Sequence, residues 1–145
     1  MIPPPLQAIL DLFSGCTENT RRDLLLLFAE QSRALTPEPG SCYTVETIRC
    51  DAICTDTVGI HLHYAAEAGC RFRVTLGPEV QTLTRALAAI LCRGLEGATP
   101  QEVLGISPEI IDHCAGAVLV RQRSRTVYYM LSRMQEAVQQ MLAQG

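Results

Sequence analysis

Val58-Gly59-Ile60-His61-Leu62-His63-Tyr64 alternates without a break. Val58, Ile60, Leu62 and Tyr64 fall on one side of an extended chain, and His61 and His63 on the other. A short link, Ala65 to Gly69, leads into a second alternating run in which Cys70, Phe72 and Val74 face one way and Arg71 and Arg73 the other. Two such runs joined by a short link containing glycine predict an antiparallel hairpin. Upstream, Tyr43 to Arg49 is rich in β-branched residues and supplies a third strand candidate.

On either side the period changes to helical. After Pro3-Pro4-Pro5, which can start a helix but not sit inside one, Leu6, Ile9, Leu10 and Phe13 mark a short amphipathic helix stopped near Gly15. Thr20 with Asp23 reads as the cap of a second helix, whose buried face is Leu24, Leu27, Phe28 and Leu35; four consecutive leucines predict cover on more than one side. Pro37-Glu38-Pro39-Gly40 is a turn. Beyond Gly77-Pro78, a helix from about Glu79 carries Val80, Leu83, Leu87, Ile90, Leu91 and Leu95 and ends at Gly97. Thr99-Pro100-Gln101-Glu102 is a capping box with proline at the first helical position. Ser107-Pro108-Glu109 opens a short helix broken by Gly116, and a last helix from about Ser124 to Ala143 buries Val127, Met130, Leu131, Met134, Val138 and Met141. The expected fold is α+β: a small antiparallel sheet of about three strands packed against helices on one face, in a single domain 1–145.

Composition narrows the function. A chain of 145 residues, 48% apolar and 19% charged, is long enough for one sizeable core. Its net charge of −3 argues against nucleic acid as the main partner, because phosphate binding needs a basic surface. The longest apolar run, Leu24 to Ala29, is too short for a bilayer, and the N-terminus lacks the basic start and apolar stretch of a secretion signal, so a cytoplasmic location is expected. In a reducing cytosol the seven cysteines should mostly be free thiols. Cys70, Cys92 and Cys114 stand among apolar residues and read as core filler.

Cys54 is different. It lies in the polar stretch Ile48-Arg49-Cys50-Asp51-Ala52-Ile53-Cys54-Thr55-Asp56-Thr57, just ahead of the strand at Val58, where a thiol is placed for chemistry more than for packing. The spacing Cys50-x-x-x-Cys54, even with His61 and His63 nearby, matches no familiar zinc pattern, and the two histidines read as a solvated strand face. There is no Gly-x-Ser-x-Gly elbow, phosphate loop or His-Glu-x-x-His. A dyad of Cys54 with His61 or His63 lacks an obvious orienting third residue. Cys50 and Cys54 would form a disulfide only across a tight bend, and their spacing is not the Cys-x-x-Cys of thioredoxin-like proteins. Thiol–sulfur exchange asks for less: a thiolate fraction, access, and a donor sulfur in line. Arg121, Arg123 and Arg125 form a basic cluster that would either stabilise a thiolate or simply solvate the start of the last helix.

The stretch Thr84-Arg85-Ala86-Leu87-Ala88-Ala89-Ile90-Leu91, followed by Gly94-Leu95-Glu96-Gly97-Ala98-Thr99-Pro100-Gln101-Glu102-Val103-Leu104, resembles the SufE sulfur-acceptor proteins, as do Arg22 to Leu27 and Leu119 to Met130. The resemblance implies a SufE/IscU-like fold and a function: accepting sulfur as a persulfide from a SufS-like cysteine desulfurase and passing it to an iron–sulfur scaffold protein. The pyridoxal phosphate would belong to the desulfurase, and this chain would hold no cofactor or metal of its own. Cys54 takes the place of the family's working cysteine, because the strand from Val58 then aligns without a gap, and Arg123 takes the place of the arginine before the last helix. Ile53, Thr55 and Asp56 depart from the family's motif around that cysteine. Two rival readings therefore stand beside the first: a non-catalytic adaptor that docks a desulfurase without carrying sulfur, and a Cys50–Cys54 redox sensor.

Overall fold

The structure, a computed structural model, describes residues 2–50, 57–116 and 126–144. In chain order the elements are α1 (Pro4–Phe13), α2 (Glu18–Gln31), a 3-10 turn (Ser32–Leu35), β1 (Val45–Cys50), β2 (Thr57–Ala65), β3 (Gly69–Leu76), α3 (Thr82–Gly94), α4 (Pro100–Leu104), α5 (Glu109–Ala115) and α6 (Thr126–Gln144).

The alternation at 58–75 becomes the centre of the sheet. The strands run in the order β1-β2-β3, all neighbours antiparallel. Val58 pairs with Leu76, Ile60 with Val74, Leu62 with Phe72 and Tyr64 with Cys70, so one face of β2 and β3 is continuously apolar. Ile60, Leu62, Phe72 and Val74 have no exposed surface. That face must be covered, and α3 and α6 cover it: α3 touches β3, and α6 touches β1 and β2.

Helix α3 is the hub, for it also carries α1 and α2 on its far side. Nine of its thirteen residues are buried, among them Ala86, Ala88 and Ala89, whose small side chains let neighbouring elements approach. Gly94 completes this surface. A Cβ there would stand 2.7 Å from Leu6 Cδ1 and 3.1 Å from Leu6 Cα, so the absence of a side chain is what admits α1.

Several helix boundaries differ from the sequence reading. The cap of α2 is Thr17, not Thr20: its hydroxyl accepts from the Thr20 N–H at 3.1 Å. The buried face is Leu25 and Phe28, and Leu27 is half exposed, as is Leu26. A helix turns by about 100° per residue, so four leucines in succession cannot all face one neighbour, and among the described residues α2 packs mainly on α3. Helix α3 begins at Thr82 rather than Glu79, because Gly77 to Val80 closes a turn first (Val80 N–H to Gly77 C=O, 3.2 Å). It ends at Gly94, and Gly97 instead takes φ +78° in the link to α4. The burial expected of Val127, and the start at Ser124, lie outside the described residues.

The capping box at α4 forms as read. Thr99 Oγ1 accepts from the Glu102 N–H (3.1 Å) and Glu102 Oε1 accepts from the Thr99 N–H (3.0 Å). Thr99→Ala is expected to lower stability by about 1 kcal/mol, with Thr99→Ser retaining most of it, in equilibrium urea unfolding.

Candidate functional site

The thiols sort by environment. Cys70, Cys92 and Cys114 are buried. Burial pushes the Cys70 thiol up to about 11. It pushes Cys92 up to about 12, with Arg73 pulling the other way and Glu96 adding to the rise. Cys114 also rises to about 12 through burial, opposed by Arg21. All three therefore keep their protons at neutral pH and are poor nucleophiles, as expected of core filler. Cys16 is partly buried, its S–H directed at the Phe13 carbonyl at 3.1 Å, and Cys42 is exposed. Cys50 is the last residue of β1. Cys54 and Arg123, the two site residues read from the sequence, lie outside the described residues.

The buried thiols carry a pH dependence. Their folded-state pKa values lie above the unfolded value, so the unfolded chain releases protons that the folded one retains. The associated stability is complete below about pH 8.5, and it is lost as pH rises through the folded values of about 11 to 12. Urea midpoints are expected to fall steadily above pH 9, and 5,5′-dithiobis(2-nitrobenzoate) at pH 8 should leave these three thiols unmodified in the folded protein.

The elements that flank both site residues are described. The last pair of β1 and β2 is Cys50 with Thr57, so residues 51–56 join neighbouring strands at that end of the sheet. There the Gly77 N–H donates to the Thr57 carbonyl at 2.9 Å. A Cβ on Gly77 would stand 3.2 Å from Thr57 Cβ, so the turn lies tight against the start of β2. Arg85, one turn into α3, clamps this turn from below: Nη2 donates to the Gly77 carbonyl (3.0 Å) and Nε to the Val80 carbonyl (3.2 Å). A planar guanidinium with several fixed donors suits such a task better than a single ammonium. The basic residue in the family-like motif is thus a structural clamp on the sheet end that precedes β2.

The other frame surrounds the segment 117–125. Helix α5 ends at Gly116 with φ +80°. Arg21, on α2, donates from Nη1 to the carbonyls of His113 (2.7 Å) and Cys114 (2.8 Å), satisfying the open end of α5 and placing positive charge at its negative pole. Across the same segment, the Tyr128 hydroxyl on α6 donates to Asp112 Oδ1 on α5 at 2.5 Å. A cavity of about 630 Å³ touches both frames: Arg21, Arg22, Leu25 and Leu26 line it from α2, and Gln81, just before α3, and Leu83, on α3, line it directly after the clamped turn.

One sequence expectation is overturned. His63 is exposed as expected, but His61 is only 4% exposed, not part of a solvated face. Gly59, two residues earlier on the same face, leaves room for the ring, and Tyr43 packs against it with ring centroids 5.5 Å apart. Its nitrogens face Glu46 and Thr75. The available signal was that glycine at i−2. Among the described residues no group of three or more His, Cys, Asp or Glu side chains is placed to hold a metal ion, and no helix is long and apolar enough to cross a membrane.

The fold defines the class: a small α+β protein with helices on one face of a three-stranded antiparallel sheet. The profile of SufE, the Fe-S metabolism associated domain, matches residues 7–138. The chain belongs to the SufE family, and so to proteins of iron–sulfur metabolism. Among solved structures it is similar to the solution structure of a hypothetical protein from Thermus thermophilus, with a TM-score of 0.77 and 25% sequence identity over 99% of each chain. No curated protein matches it significantly.

Proposed function

We propose that this protein takes sulfane sulfur from a cysteine desulfurase onto Cys54 and carries it, as a persulfide, toward iron–sulfur cluster assembly. The observation that carries the reading is the SufE match across residues 7–138. Thiol chemistry supports it, since the burial of Cys70, Cys92 and Cys114 removes three competing nucleophiles. The Cys54 thiolate attacks the outer sulfur of the persulfide on the partner's cysteine. A new S–S bond forms at Cys54, the partner's S–S bond breaks, and the partner's thiolate leaves and is reprotonated. The transferred sulfur keeps its oxidation level, so no external oxidant is needed. Arg123 stabilises the attacking thiolate, and an iron–sulfur scaffold protein accepts the sulfur next. The pyridoxal phosphate remains on the desulfurase throughout. The chain, 1–145, acts as one domain in a reducing, cytoplasmic setting that keeps the thiol free, with neither nucleic acid nor membrane as partner.

The test is incubation with the cognate desulfurase and ³⁵S-labelled cysteine, followed by separation of the two proteins. The expected result is label retained on this chain and released by dithiothreitol. Docking without retained label would instead support the adaptor reading, and protection of two thiols by mild oxidation alone would support the redox sensor.

A further inference from the structure

Glu46, His61 and Thr75 stand one on each strand, on the sheet face away from α3 and α6. His61 Nδ1 lies 2.5 Å from Glu46 Oε2, and Nε2 lies 2.8 Å from Thr75 Oγ1. The ring lies along the sheet toward β3: a Cβ on Gly59 would come 3.3 Å from Nε2. A carboxylate only accepts, so Nδ1 carries a hydrogen. In the neutral ring Nε2 then presents a lone pair to the Thr75 hydroxyl. This is the arrangement by which an imidazole removes a hydroxyl proton while a carboxylate steadies the cation that results. His113 makes the contrast. Its Nε2 faces the Leu10 carbonyl at 3.0 Å as well as Ser14 Oγ at 3.2 Å, so that nitrogen carries a hydrogen and cannot accept one from the serine. Thr75 is only partly buried, so a reagent can reach it, whereas its base is shielded from water.

We propose that Thr75 is an acyl-acceptor site: its hydroxyl, activated by His61 and Glu46, takes one acyl group from an activated donor of the thioester or aryl ester class. Thr75 Oγ1 bonds to the carbonyl carbon as its proton passes to His61 Nε2. The bond to the thiolate or phenolate breaks, and the leaving group collects that proton. Nothing is oxidised or reduced. Acylation removes the hydroxyl hydrogen that Thr75 gives to His61 and so frees the ring from β3.

The experiment treats the full chain with p-nitrophenyl acetate and maps acetyl groups by mass spectrometry after neutral hydroxylamine has removed any thioesters from cysteine. Acetyl on Thr75 is expected in the folded protein and not in the urea-unfolded one. It should be absent in Thr75→Val, and should form slower by on the order of 10² in Glu46→Gln, a shape-preserving variant whose fold is checked by circular dichroism. No acetyl on folded Thr75, or equal rates in wild type and Glu46→Gln, would overturn the proposal and leave the three side chains as a cross-strand clamp. The result is independent of whether Cys54 carries sulfur.

Discussion

Gly69→Ala is expected to lower the unfolding free energy by about 3–5 kcal/mol, a large part of the ~5–15 kcal/mol typical of a domain. Two causes add. Gly69 holds φ +79°, a conformation that alanine adopts only at a cost. In addition, a Cβ there would stand 2.5 Å from the Gly97 carbonyl oxygen, 2.7 Å from its carbon and 2.9 Å from the Ala98 oxygen. All three are backbone atoms and cannot swing aside. The bonds from Gly97 N–H to Cys70 C=O and from Cys70 N–H to Ala98 C=O, both 2.8 Å, tie the same two strips of chain together and would have to part. Gly40 is the control: its φ is +80°, yet nothing lies within 4 Å of a Cβ. Gly40→Ala should therefore cost only about 1 kcal/mol. Equal losses at the two positions in urea unfolding would mean that backbone conformation, not the close approach, sets the effect.

Cys54→Ser is expected to reduce sulfur retention from desulfurase and labelled cysteine to background, since a hydroxyl neither ionises at neutral pH nor forms a persulfide. Cys50→Ser should leave it essentially unchanged, because Cys50 ends β1 as part of the ladder with Thr57. The pair of variants separates a carrier at Cys54 from a Cys50–Cys54 couple, in which both changes would be equally damaging.

How much the sequence discloses depends on how many neighbours a residue needs for its role. The hairpin at 58–75 is legible because a strand's period of two is a local property, and the structure repeats it pair by pair. The α4 capping box is equally local, closing within four residues. Leu27 fails because the side of α2 that is covered depends on where α3 lies, which the leucine run does not encode. His61 fails for a similar reason. The alternation assigns it correctly to the outer face, but its burial depends on Tyr43 and on the space over Gly59. Arg85 was visible as part of a family-like motif, whereas its hold on Gly77 and Val80 is a tertiary fact. Cys54 drew notice through its polar setting just ahead of β2, whereas its expected role and that of Arg123 came from the family resemblance, and both residues lie outside the described ones.

The account turns on one atom's destination. After reaction with the desulfurase and cysteine, this chain can be alkylated under non-reducing conditions, digested, and its peptides weighed. The account predicts an additional sulfur on the peptide containing Cys54, lost on treatment with dithiothreitol. Sulfur found only on Cys16 or Cys42, or on no peptide at all while the desulfurase remains loaded, would contradict it.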